Sequence, residues 1–81
     1  MKSNPIHREI KANIAKSGMT LTEVVKQMNL HRSKENQTTI QNISNKITRG
    51  TIKYSEILEI ASIINMSIIW CDVRKEKVEN V

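Results

Sequence analysis

The chain reads as a mainly α-helical protein: a compact bundle of four to five short helices, followed by an apolar stretch that suits a short β-strand. Three observations predict this. Aliphatic residues recur every three or four positions through most of the 81 residues. Helix-start and helix-stop signals alternate along the sequence, with Pro5, Gly18 and Gly50 as its main punctuation. There is no Phe, one Tyr and one Trp, so the core must be built from Ile, Leu, Val and Met. A chain this short is one domain, and it buries only about 60–65% of the surface that its unfolded form exposes. Residues 1–74 are assigned to that domain and residues 75–81 to a charged, flexible tail. Dimerisation is a natural way for such a small core to bury more.

The first helix is expected from about Pro5 to Ser17. Asn4 suits the N-cap and Pro5 the first helical position. Ile6, Ile10 and Ile14 form one apolar stripe, and Gly18 stands where a left-handed C-terminal cap is wanted. The second helix opens on Thr20-Leu21-Thr22-Glu23, a capping-box pattern, with Met19 and Val24 at the positions of a hydrophobic staple. Leu21, Val24, Val25 and Met28 face inward, and the helix ends near Asn29 or Leu30. "HRSKENQ", His31 to Gln37, is polar and unpatterned, which predicts a loop. Arg32 and Lys34 within it either touch an anionic partner or stay solvated.

The third helix is expected to begin near Thr38 and end at Gly50, with Arg49 in the last turn where a cation suits the helix dipole. The fourth starts after Ser55, its expected N-cap, with Glu56 in the first turn. Ile57, Leu58, Ile60, Ala61 and Ile64 make it apolar nearly all round, as in a buried helix. Met66 to Val73 is β-branched and aromatic, which favours a strand, with a short fifth helix as the alternative. Ile68, Ile69, Trp70 and Val73 are the candidate dimer residues, as a strand that pairs with its twin across a two-fold axis.

Net charge is +5, unevenly distributed. Residues 1–54 carry ten basic and three acidic groups, whereas residues 55–81 carry three and five. A basic front half points to an anionic partner, most often nucleic acid, or to a merely solubilising surface. The third helix sharpens the choice. At 100° per residue, Ile40, Ile43 and Ile47 fall within about 60° of one another, which predicts a core face. Thr38, Gln41, Asn42, Asn45 and Arg49 gather on the opposite side, across about 100°. Asn and Thr disfavour helix by a few tenths of a kcal/mol relative to Lys, Glu or Ala, so their accumulation suggests use. Asn and Gln pair bidentately with adenine, and Arg with guanine, in the major groove. No Asp or Glu lies between Gln37 and Ser55 to repel phosphate. An AT-rich coding sequence is the bland source of the same composition.

"MTLTEVVKQM", the polar helix ending in "NKITRG" and then "YSEILEIASIIN" together resemble the Cro/repressor-type, lambda-repressor-like helix-turn-helix family of phage and bacterial regulators. The resemblance spans roughly Ile6 to Asn65. It implies a third helix lying in the major groove and a second lying across the backbone. Thr38, Thr39, Gln41, Asn42 and Asn45 would then approach base edges, and Thr20, Lys46, Arg49 and Lys53 would contact phosphate. It implies a transcription regulator, a repressor, acting on double-stranded DNA as a homodimer. The chain departs from the family in four places. The Leu30–Gln37 connection exceeds the usual tight turn, Leu21 replaces a common Gln, Val25 a small residue, and Thr48 an acidic one.

Other chemistries find little support. His7 and His31 have no partner at metal-ligand spacing, so no metal or cofactor is expected. No phosphate-cradling glycine loop, catalytic triad or effector pocket is evident, and an enzyme is not expected. Lone Cys71 and the absence of an apolar leader fit the cytoplasm, and no run is long enough to span a membrane. The competing reading is a module of the same fold that holds another protein, as an antitoxin or inhibitor does, without binding DNA.

Overall fold

The computed structural model describes residues 5–73, which form four α-helices: α1 (Pro5–Ser17), α2 (Leu21–Leu30), α3 (Ile40–Arg49) and α4 (Tyr54–Ile63). A short 3-10 turn, Lys34–Asn36, interrupts the connection between α2 and α3. The Asn4 cap and the tail assigned to 75–81 lie outside the described residues. The protein is thus a small helical bundle, and among the described residues there is no strand.

Local chemistry sets each boundary. At the end of α1 the Ser17 hydroxyl donates to the Ile14 carbonyl at 2.6 Å and accepts the Met19 amide at 3.2 Å. Gly18 follows with φ +84°, a conformation that side chains rarely adopt. Thr20 caps α2 as its pattern predicts. Its hydroxyl accepts the Glu23 amide at 3.2 Å, and its own amide donates to the Glu23 carboxylate at 2.9 Å. Gly50, at φ +74°, closes α3 and lets its own amide reach the Ile47 carbonyl and that of Thr51 reach Lys46.

α2 packs against both α3 and α4, and α1 packs against α3. The buried cluster draws Ile10 and Ile14 from α1, Val24, Val25 and Met28 from α2, and Ile43 and Ile47 from α3. Ile52 in the α3–α4 turn, Ile60 on α4 and Ile64 just beyond it complete the cluster. Val24, Met28 and Ile43 lose all contact with solvent. Each such side chain contributes about 1.5–3 kcal/mol through burial.

Four expectations are corrected. α3 starts at Ile40 rather than Thr38, because Thr39 supplies the N-cap by accepting the Asn42 amide at 3.1 Å. α4 starts at Tyr54, so Ser55 lies inside it and Lys53 holds the cap position. There Glu56 reaches back to accept the Lys53 amide at 2.9 Å, a bond that needs no capping side chain. Ile40, placed on the core face by its angle, remains 43% exposed, since it occupies the first helical position at the edge of the core. Met66–Asp72 adopts no regular structure, because a strand needs a partner edge and the described chain offers none. Nor is the alternative fifth helix seen across those residues.

No helix among the described residues is long and apolar enough to cross a membrane.

Candidate nucleic-acid interface

The candidate interface is the outer side of α3. Ile43 and Ile47 clamp the opposite side into the core. That fixes the rotation of the helix and leaves Gln41, Asn42, Asn45 and Arg49 exposed. No hydrogen bond within the described chain occupies the side-chain amides of Gln41, Asn42 or Asn45, so their donors and acceptors face solvent unsatisfied by protein. Thr39 is exposed beside them, though its oxygen already accepts the Asn42 amide. Thr38 differs. It precedes the cap and is half-buried, so it does not belong to the helical stripe. Its backbone is tied to Asn29 on both sides: Asn29 Nδ2 donates to its carbonyl at 2.9 Å, and its amide donates to Asn29 Oδ1 at 2.8 Å.

The groups expected to meet phosphate divide in the same way. Arg49 and Lys53 are exposed at either side of the Gly50 turn, and no described carboxylate pairs with either. Lys46 instead places its ammonium 2.8 Å from Glu56 Oε2, which partly neutralises it in the free protein. Thr20 is committed to its cap, and its hydroxyl also lies 3.3 Å from the Glu23 carboxylate, whose charge would repel a phosphate at that spot.

Glu56 is the one buried polar residue among the described residues, at 7% exposure. Burial alone would push its carboxyl up. The hydrogen bonds from Lys46 and from the Lys53 amide, with the charges of Lys46 and Arg32, outweigh burial and hold it below the ordinary carboxylate range. Arg32 makes a forked contact to Glu59 on α4, through Nη2 at 2.8 Å and Nε at 3.4 Å, and its Nη1 donates to the Asn36 carbonyl at 3.2 Å. The hydrogen bond to Glu59 raises its already high pKa against the lowering effect of burial. Arg32 thus straps the α2–α3 connection to α4, whereas Lys34 stays exposed.

Asn29 and Glu56 escaped the reading of the sequence as site-forming groups. For Glu56 a signal existed: a glutamate three residues after a helix start can accept the cap amide whatever the cap side chain. For Asn29 the spacing gave none, because its partner is a backbone nine residues away.

Ile68, Ile69, Trp70 and Val73 are all exposed, Ile69 at 81% and Trp70 at 87%. All four lie beyond α4, and Ile68 and Ile69 line an open groove with Ile10 of α1, Ile57 and Ile60 of α4, and Ile64. Among the described residues no group of three or more His, Cys, Asp or Glu is placed to hold a metal.

Comparison with protein-family models, with curated proteins and with solved structures gives no match to this chain.

Proposed function

We propose that this protein is a sequence-specific, double-stranded DNA-binding regulator of the helix-turn-helix type, a repressor, acting in the cytoplasm with α3 in the major groove. The exposed amide stripe of α3 supports this most directly. Gln41, Asn42 and Asn45 present unoccupied donor–acceptor pairs of the geometry that reads adenine edges, and no carboxylate shares their helix. Arg49 and Lys53 flank the stripe as phosphate anchors, with a smaller contribution from Lys46 because Glu56 already holds it. Thr39 sits at the end of α3 that would lead into the groove, and Thr38 contributes through its backbone.

Selection from a random duplex pool, followed by mobility shift at two salt concentrations, tests the proposal. The selected sites should converge on a palindrome, and binding should survive non-specific competitor DNA while weakening steeply with salt. A pool that never converges would refute it.

The palindrome is expected because the regulator acts as a homodimer, joined through Ile68, Ile69, Trp70 and Val73. A solitary chain that exposes four large apolar side chains within six residues gains by covering them with its twin. Sedimentation should show a dimer that Trp70→Ser dissociates. The same exposed run also favours a second reading, a protein-holding module. In that case no duplex would bind in preference to competitor.

A further inference from the structure

The connection between α2 and α3 runs through nine residues, 31–39, all exposed except Arg32 and Thr38. A connection of that length and polarity does not by itself fix the direction of the helix that follows it. Yet groove reading by side-chain amides needs hydrogen bonds within about 3.2 Å and well aligned, which a wandering helix cannot supply. Something other than the loop's own conformation must set α3.

We infer that Asn29 is the positioning residue of the DNA-reading unit, its carboxamide gripping the Thr38 backbone so that α3 is held as a tight turn would hold it. This rests on the proposed DNA-binding function. The chemistry of the grip is specific. A carboxamide carries an N–H donor and a carbonyl acceptor side by side, so it pairs with both the carbonyl and the amide of a single residue. Both bonds are short, at 2.9 and 2.8 Å, and both are partly shielded from water. The two partners also fix which way the amide points, since only the Nδ2 end of the carboxamide can donate to the carbonyl and only the Oδ1 end can accept the backbone amide.

The grip stands at the right place to transmit order. On one side Asn29 follows Met28, which is fully buried at the centre of the core. On the other, Thr38 is bonded directly to Thr39, whose side chain caps α3 through the Asn42 amide. Beside the packing of Ile43 and Ile47, which sets the rotation of α3, a second path runs from core to reading residue through Met28, Asn29, Thr38, Thr39 and Asn42. Arg32 restrains the intervening loop by its contacts to Asn36 and Glu59, but none of these reaches α3. Among the described residues, only Asn29 bonds a side chain of α2 to the residues that open α3. The variants differ in what they can supply here: Asp lacks the donor, Ala and Leu lack both groups, and Gln displaces the amide by one methylene.

The test measures two quantities on wild type, Asn29→Ala, Asn29→Asp and, as a control, the exposed neighbour Leu30→Ala. The first is the exchange rate of the Thr38 amide in the protein without DNA. Wild type should protect it, and N29A should speed its exchange by about tenfold or more, as a locally opened bond does. The second is the ratio of affinities for a selected duplex and a scrambled one. N29A should narrow it by about tenfold, the scale of one good base contact, while leaving affinity for scrambled DNA and the helical circular dichroism unchanged. N29D, which keeps only the acceptor, should fall between, and L30A should match wild type. An unprotected Thr38 amide in wild type, or a full affinity ratio in N29A, overturns the inference. Should N29A fail to fold, N29D decides: wild-type exchange and ratio in that variant refute it. If wild type discriminates no duplex at all, the DNA reading fails on its own, while Thr38 exchange still shows whether Asn29 fixes α3.

Discussion

The Lys46 ammonium lies 2.8 Å from the Glu56 carboxylate, joining the last turn of α3 to the first turn of α4. The same carboxylate accepts the Lys53 amide, so one buried acid fixes both ends of the Gly50–Lys53 turn. Lys46 therefore acts within the fold first. Glu56→Ala should cost about 1–2 kcal/mol, through the lost cap bond and the stranded lysine, with Glu56→Gln milder. Lys46→Ala should cost about 1 kcal/mol, since that side chain is 38% exposed and water screens the pair. In DNA binding, Arg49→Ala and Lys53→Ala should each reduce the slope of log affinity against log salt by about 0.9, and Lys46→Ala by less. Urea titration and salt titration of the variants measure both. A full reduction in slope with no loss of stability in K46A would show that the pair does not persist.

Acid should unfold the protein partly through Glu56. Its folded pKa is depressed, so it lies below the unfolded value of about 4.3. Above that unfolded value the carboxylate is ionised in both states and its stabilisation is fully present. As pH falls from about 4.3 through the depressed folded value, the unfolded chain binds the proton more readily and the stabilisation is lost. Denaturant midpoints followed from neutral pH to pH 2 should fall over this window in wild type, and less steeply in Glu56→Gln. Identical profiles would show that other carboxylates govern the transition.

Two isoleucines of α3 should separate sharply. Ile43→Ala removes a side chain with no solvent exposure and should cost about 2–5 kcal/mol. Ile40 is on the same angular face but 43% exposed, and its replacement by Ala should cost less than about 1 kcal/mol. Equal losses, read from urea midpoints, would mean that α3 begins deeper in the core.

That contrast shows what the sequence carried and what it did not. Helical periodicity located α1 to α4 and most of the core, because burial repeats every three or four residues, as Ile10 and Ile14 or Ile43 and Ile47 show. Thr20 and Glu23 announced a boundary through side chains that bond three residues apart. The starts of α3 and α4 shifted because Thr39 competes with Thr38 to cap, and because the Glu56 carboxylate caps the Lys53 backbone amide without help from a cap side chain. An angular wheel says which way Ile40 points but not whether anything covers it. The grip of Asn29 on Thr38 and the strap from Arg32 to Glu59 join residues far apart in sequence, and no local pattern marks such pairs. The amide stripe was legible because Gln41, Asn42 and Asn45 follow one helical face, so their exposure came with the helix itself.

Gln41 and Asn42 have exposed amides that no described group satisfies, and their removal leaves the core untouched. Gln41→Ala and Asn42→Ala should each leave the melting temperature near that of wild type. Each should cost about 1–3 kcal/mol against the selected duplex, the worth of one bidentate base contact. Affinity for scrambled DNA should hold, because phosphate contacts from Arg49 and Lys53 supply it and carry no sequence information. Competition mobility shift with selected and scrambled duplexes reads both quantities in one experiment. If both duplexes lost affinity equally, the amides would be acting as general surface contacts, and α3 would not be reading bases.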